Sequence, residues 1–569
     1  MKDTGSDVRE VLGASPHEGI SQAQVFALDQ RYDRAMGELR ARVDNAMQLL
    51  GEHPLSDSDF ALILKQHTQE NRDYHGMLHA IQMGNMSETE KTQFARDVGI
   101  SDPARMERLE ARINVAGAFH DNVYLQVDGD VSPEVKVILG QYVDVQSAPG
   151  DEPGTYNQQS TYRLKPAEGL TEAQQKVYHI VSRTFGIDPR DSEKPLPPLK
   201  DGPFLNEFLS TLVAADTMKR SGANDADIAQ VATMIEGTIP FRNEHHFHEL
   251  AGRLAATNEA LGLGMSEADR NLAVKAATFI ANKDVLAFVG STDLSTAGLD
   301  LPPGERLRNQ LQTTWNLVPE LNPVVFRDTE GGYMATAFRE GLLGRRDFEA
   351  HFFTPEDRQI FHQYDGYPRP DDFSRLKDLE RSVRDDAVSY LEAKIVSAAL
   401  VEALAVKSGA GRAPVPELVG GDMSKFRLDS GAETADSSDP VFNALKYGRG
   451  GSSSFDIPDS PIAARIIETA RIPATDSEPE KTGMAAVNHL YTQFLNDKEQ
   501  FHSTDNQRNS TAFLIAVKDA IGEDVFRQIT GAMEEVALES GNEGRATRLR
   551  DVADRVIQSS ALQGGASMS

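Results

Sequence analysis

Apolar side chains recur at three- and four-residue intervals along most of the chain, the spacing that lays one apolar stripe along an α-helix. The stretch ALDQRYDRAMGELRARVDNAMQLL, residues 27–50, carries this period and stops at Gly51, a residue type that commonly follows a helix end. The same period runs through residues 227–237, 267–290, 378–406 and 519–540. Alternation with period two is scarce. Only YLQVDGDVSPEVKVIL, residues 124–139, alternates around an Asp-Gly pair, and it predicts a hairpin or an irregular excursion. The pattern as a whole predicts an all-α protein.

Breaks in the pattern suggest the organisation. Residues 1–20 have the composition of a flexible leader. Residues 21–406 form one helical region, with an insertion around 125–203 that holds two Pro/Gly/polar loops, 147–160 and 188–203. Residues 407–461 lose the apolar period and are rich in Gly, Ser and Asp, as expected of a linker. Residues 462–560 then resume it as a C-terminal helical module.

Composition narrows the class. At 569 residues the chain exceeds what one hydrophobic core serves, and 39% hydrophobic with 25% charged residues is ordinary for a globular protein. No apolar run has the length of a membrane span. The first residues, MKDTGSDVREVLGASPHEG, lack the apolar centre of a cleavable export signal. With no cysteine, disulfides, thiolate metal sites and cysteine nucleophiles are excluded together. These features predict a cytoplasmic protein, or one exported as an effector without a classical signal peptide. A net charge of −29 opposes binding to long nucleic acid, which needs Lys and Arg to displace counterions.

Candidate chemistry concentrates in three phrases. RDYHGMLHAI, residues 72–81, spaces His75 and His79 four apart, which puts both imidazoles on one face if the phrase is helical. INVAGAFHDNVY ends an apolar run in His120-Asp121. TFIANKDVLAFVG sets Asp284 in an otherwise apolar helix, where a carboxylate must be paired, protonated or bound to metal. His79, His120, Asp121 and Asp284 thus make a mixed nitrogen and oxygen ligand set for a divalent cation, with Mn, Mg, Fe, Zn and Ni all compatible. His75, spare beside His79, is placed to protonate a leaving group. Glu236, in an apolar helix before Gly237, either orients a ligand histidine, acts as a catalytic carboxylate or closes the helix end. Arg242 either clamps a phosphate oxygen or pairs with Glu236 or Glu244.

The order His, His-Asp, Asp, with Tyr-His before the first histidine, resembles the HD-domain phosphohydrolases. Most similar is their cyclic-nucleotide phosphodiesterase branch, whose Tyr-His-Asn-x-x-His-Ala phrase stands here as YHGMLHA with Gly76 in place of Asn. The resemblance implies an HD/PDE-like helical bundle in residues 21–406, metal ligation by His79, His120, Asp121 and Asp284, and His75 as general acid. TMIEGTIPFR, NRDYHGMLHA, FHDNVYLQVDG and IANKDV followed by TTWNLVPELNP are in addition similar to the phosphodiesterase (PDE) domain of the SidE family of bacterial effectors. That narrower likeness, over residues 60–330, implies action on ADP-ribosylated or phosphoribosyl-linked ubiquitin or protein. It makes His75 or His79 a catalytic histidine and Glu236 a catalytic glutamate.

The expectation is a hydrolase that cleaves a phosphodiester or pyrophosphate bond with metal-activated water and a histidine acid. Its substrate would contain a nucleotide or a phosphodiester, an ADP-ribosylated protein included. Two alternatives stay open: the SidE-type enzyme, and a catalytically degenerate helical scaffold. Weaker candidates are NEHHFHEL, where His245 and Glu249 are spaced for shared metal ligation or simply open a polar helix, and Trp315 as a core anchor.

Overall fold

The structure is a computed structural model. It describes residues 22–68, 72, 74–128, 131–146, 161–187, 204–291, 293–295, parts of 301–317, 335–352, 359–409, 461–475, 477–501, 507–539 and 541–566. The expected leader, most of the expected linker and Trp315 lie outside the described residues.

The chain is all-α. Helices α1 (Gln22–Leu50), α2 (Asp57–His67), α3 (Met77–Gly84), α4 (Glu88–Val98) and α5 (Pro103–Phe119) come first. A short α6 (Leu125–Asp128) and α7 (Pro133–Tyr142) precede strands β1 (Val143–Gln146) and β2 (Thr161–Leu164). Then follow α8 (Glu172–Thr184), α9 (Phe204–Arg220), α10 (Asp225–Gly237), α11 (His246–Leu261) and α12 (Glu267–Asp284). Later come α13 (Ala335–Phe352), α14 (Pro370–Lys407), α15 (Pro461–Thr469), strands β3 (Arg471–Ile472) and β4 (Lys481–Thr482), α16 (Met484–Phe501), α17 (Gln507–Ile521), α18 (Glu523–Glu539) and α19 (Glu543–Ala566). Among the described residues the strands make two antiparallel pairs, β1 with β2 and β3 with β4. Among the same residues no helix is long and apolar enough to cross a membrane.

The described residues form two compact units. One comprises α1 to α12 with residues 359–381; the other holds α13, α14 from Ser382 onward, and α15 to α19. Residues 382–406, expected with the N-terminal region, therefore cluster with the C-terminal helices. In that second unit Arg339 is fully buried and reaches Glu402 at 3.1 Å, and Phe494, Leu514 and Phe526 form its core.

Two local expectations change. Within 124–139 the described residues 125–128 and 133–139 are helical: Ser132 accepts from Val135 N, Pro133 occupies the first turn, and Val135, Ile138, Leu139 and Tyr142 bury one face. The single run expected at 519–540 is two helices, broken at Gly522, whose φ of 86° a helix does not accept.

In the first unit α5 is central and packs on α1, α3, α9 and α10. Its crossing with α3 is set by two glycines. A Cβ at Gly117 would lie 2.5 Å from Gly84 N and 2.8 Å from Gly84 Cα, so no side chain fits between the backbones. This contact brings the helix carrying His79 against the end of the helix that delivers His120.

Gly117→Ala is therefore expected to destabilise the protein by about 1–3 kcal/mol through forced separation of α3 and α5. Gly140→Ala, at an α7 position with open space around it, should be neutral or stabilising by up to about 1 kcal/mol. Urea denaturation of both variants checks the pair, and equal effects would mean that the crossing is not tight.

Candidate active site

The site gathers side chains from three helix ends. His79 lies in the first turn of α3, His120 caps the C-terminus of α5 with Asp121 directly after it, and Asp284 is the last residue of α12. His75 is not on the helix of His79 as its spacing suggested. Gly76 is the extended N-cap of α3 and its carbonyl accepts from Ala80 N, so His75 sits in the bend before it. The two rings still approach to 5.5 Å, and Tyr74 and Tyr124 flank His75 at 4.7 and 4.5 Å.

The four expected ligands converge. His79 Nε2 lies 3.1 Å from His120 Nε2, 3.1 Å from Asp284 Oδ1 and 3.4 Å from Asp121 Oδ2. His120 Nε2 lies 2.7 Å from Asp121 Oδ2 and 3.7 Å from Asp284 Oδ1. The imidazoles are buried, at 5% and 1% side-chain exposure, while Asp121 keeps 12% and Asp284 19%. The cluster is thus reached from its carboxylate side.

His120 Nδ1 is 2.9 Å from the Gly117 carbonyl, which accepts only from an N–H. In the neutral ring Nε2 is then a lone pair directed at another imidazole nitrogen and two carboxylates. Such a contact is repulsive unless a proton or a cation sits in it. With protons in place, burial opposes the charge on both rings, but Asp121 and Asp284 outweigh it: His79 is raised and His120 raised well above the ordinary histidine range. The carboxyls respond in the opposite sense. Against their own burial, His120 first holds Asp121 well below its usual range and, with His79, lowers Asp284.

The donor set fits a divalent cation. Ligands about 2.1 Å from an ion are about 3.0 Å apart at octahedral angles and about 3.4 Å apart at tetrahedral ones, the range spanned by most of these separations. Asp121 Oδ2 is buried and its near neighbours are the His120 and His79 Nε2 atoms at 2.7 and 3.4 Å. Among the described residues His79, His120 and Asp284 are the group whose donor atoms, all within 4.8 Å, could hold a metal ion.

Several supporting residues escaped the sequence reading. Arg72 is buried, grips both oxygens of Asp128 at 2.8 and 2.6 Å, and donates to the Asp121 carbonyl at 2.6 Å. Tyr74 Oη donates to the Asp284 carbonyl, 3.2 Å away. His67 joins the carbonyls of Ala118 and His75, and burial with the nearby Arg72 lowers it to about 3. Glu207 on α9 is buried, its Oε2 accepts no hydrogen bond, and burial together with Asp121 and Asp284 raises it well above the carboxyl range. A lone carboxylate in the apolar run FLNEFLSTLV was the signal for it, the same signal that exposed Asp284.

Glu236 does not join the four. Its oxygens are taken by Arg253 at 2.5 Å and by His246, whose Nε2 donates at 3.0 Å, and it is 2% exposed. Arg242 lies 3.9 Å from Glu236, the salt-bridge alternative, and follows Phe241 in left-handed backbone at φ 59°. His245 is 72% exposed beside Glu244 and is the N-cap of α11, so NEHHFHEL opens a helix and His246 turns inward to Glu236.

Because both imidazoles hold protons more tightly than usual, a metal must displace those protons to bind. Affinity for Mn2+ is expected to rise by about tenfold or more between pH 6 and pH 8. Titration against a metallochromic indicator at both values checks it; affinity that is flat or falls with pH would contradict it.

No protein-family model matches this chain, and no curated protein or solved structure matches it either.

Proposed function

We propose that the protein is a metal-dependent phosphohydrolase of the HD type, cleaving a phosphodiester or pyrophosphate bond in a nucleotide-containing substrate. The observation that carries this is the meeting of His79, His120 and Asp284, from segments some two hundred positions apart, with donor atoms 3.1–3.7 Å from one another and Asp121 Oδ2 2.7 Å from His120 Nε2. In this reading those four residues hold a divalent cation, Mn, Mg, Fe, Zn or Ni. When bound, it would polarise a phosphoryl oxygen and lower the pKa of a water.

The chain's own residues do the rest. The open edge at Asp121 and Asp284 admits the phosphate, and the buried imidazoles keep bulk water from the far side. Hydrolysis forms a bond from a water oxygen to phosphorus and breaks one P–O ester bond. His75 gives its proton to the departing alkoxide and regains one when the attacking water loses its own. Arg242, 31% exposed and 3.9 Å from Glu236, is the residue to offer donors to a non-bridging oxygen. Glu236, paired on both oxygens, keeps Arg253 and His246 in place and is assigned no proton transfer. The likeness to the SidE PDE domain makes ADP-ribosylated or phosphoribosyl-linked protein the narrower substrate class to try.

Bis(p-nitrophenyl) phosphate with and without chelator is the direct test. Turnover that chelator abolishes and Mn2+ restores is expected. His120→Ala should lose bound metal and activity, whereas His75→Ala should keep the metal and lose about 100-fold or more in rate. Full activity in both variants would refute the site; absence of both metal and turnover would favour the scaffold.

A further inference from the structure

A second cleft lies at the opposite end of α5 from His120. It has a volume of about 300 Å3 and is lined by Arg105, Arg108 and Arg112 of α5, Asp227 and Gln230 of α10, and Asp269 of α12. The arginines are spaced three and four apart and so share one face of the helix. Their charge is not balanced within the cleft. Arg108 and Arg112 both bind the single carboxylate of Asp227, Arg112 Nε donating to Oδ1 at 2.8 Å, while Arg105 pairs with Asp269 at 2.8 Å. Three guanidinium groups face two carboxylates, which leaves one positive charge over in a chain whose net charge is −29.

A second observation points to a ligand. Gln230 is 4% exposed and lines the cleft, yet no described group hydrogen-bonds its side-chain amide. Its amide atoms are not sealed in the core but keep solvent access. Its donors and the surplus guanidinium charge meet on one space, rimmed by the apolar side chains of Ala226, Met265 and Leu272. Burial, which Asp227 opposes and Arg108 reinforces, holds Arg112 below the usual arginine range.

We propose that this cleft binds a small phosphate-bearing anion, with Arg105, Arg108 and Arg112 taking its charge and Gln230 donating to one of its oxygens. Phosphate suits it because guanidinium forks bind its oxygens in pairs, and because a cavity of this size holds a phosphoryl group with a small substituent against the apolar rim. The site is independent of the His/Asp centre and does not rest on the proposed catalysis.

Isothermal titration of the full-length protein with inorganic phosphate and with pyrophosphate, in chelator and at constant ionic strength, tests it. Wild type is expected to bind one of the two with a Kd below about 1 mM. Arg108→Gln, which leaves Asp227 its bonds to Arg112 and Asn224, and Gln230→Met, which breaks no ion pair, should each weaken binding by about tenfold. His120→Ala should bind as wild type does. The proposal is overturned by an absence of heat up to about 10 mM ligand, by affinity unchanged in both cleft variants, or by affinity lost in His120→Ala, which would place the anion at the His/Asp centre.

Discussion

Two imidazoles and two carboxylates share a space that water barely enters, and that crowding is the constraint on which the site depends. Ionised carboxylates cost heavily in such a place unless positive charge meets them. Asp121 and Asp284 bring two negative charges, so neutrality requires either a proton on each of His79 and His120 or one divalent cation. The upward shifts of the histidines and the downward shifts of the aspartates express the first solution. The second frees both Nε2 lone pairs for ligation. The same arrangement is therefore stable in two charge states, which is what reversible metal loading requires.

The surrounding structure is organised to hold that crowding in place. The backbone contact of Gly84 with Gly117 fixes the distance between α3 and α5, and the Gly117 carbonyl also sets the tautomer of His120. Arg72 ties the Asp121 backbone to Asp128 through a fully buried ion pair. At the end of α12, Lys283 is anchored to Glu90 of α4 by two bonds of 2.9 and 2.7 Å, which pins the residue just before Asp284. Each of these contacts spends conformational freedom on orientation. A ligand set drawn from three helix ends needs such support more than one drawn from a single helix.

Much of this could be read from the sequence, and the limits have physical causes. Helix period survives in any amphipathic segment, so the all-α fold and α1, α10, α12 and α14 were legible. The 124–139 segment was not, because its Asp-Gly pair resembles a turn while the decisive signal was Ser132-Pro133 opening α7. The four candidate ligands stood out because histidine and aspartate in apolar runs violate the pattern of burial. Arg72 and His67 act through backbone carbonyls of residues distant in sequence, and spacing carries no trace of that, whereas Glu207 stood in the sequence as a lone carboxylate in an apolar run. Glu236 looked like a site residue for the right reason, a buried carboxylate, but its partners Arg253 and His246 come from α11 and meet it only after folding.

In the proposed reading one cation lies between His79 Nε2, His120 Nε2 and the aspartates. Anomalous diffraction from a crystal soaked in Mn2+ near pH 8 tests it most directly. A single strong peak about 2.0–2.3 Å from both Nε2 atoms and from Asp284 Oδ1 is expected. A well-ordered map with no peak there, or with manganese only on surface carboxylates, would contradict it.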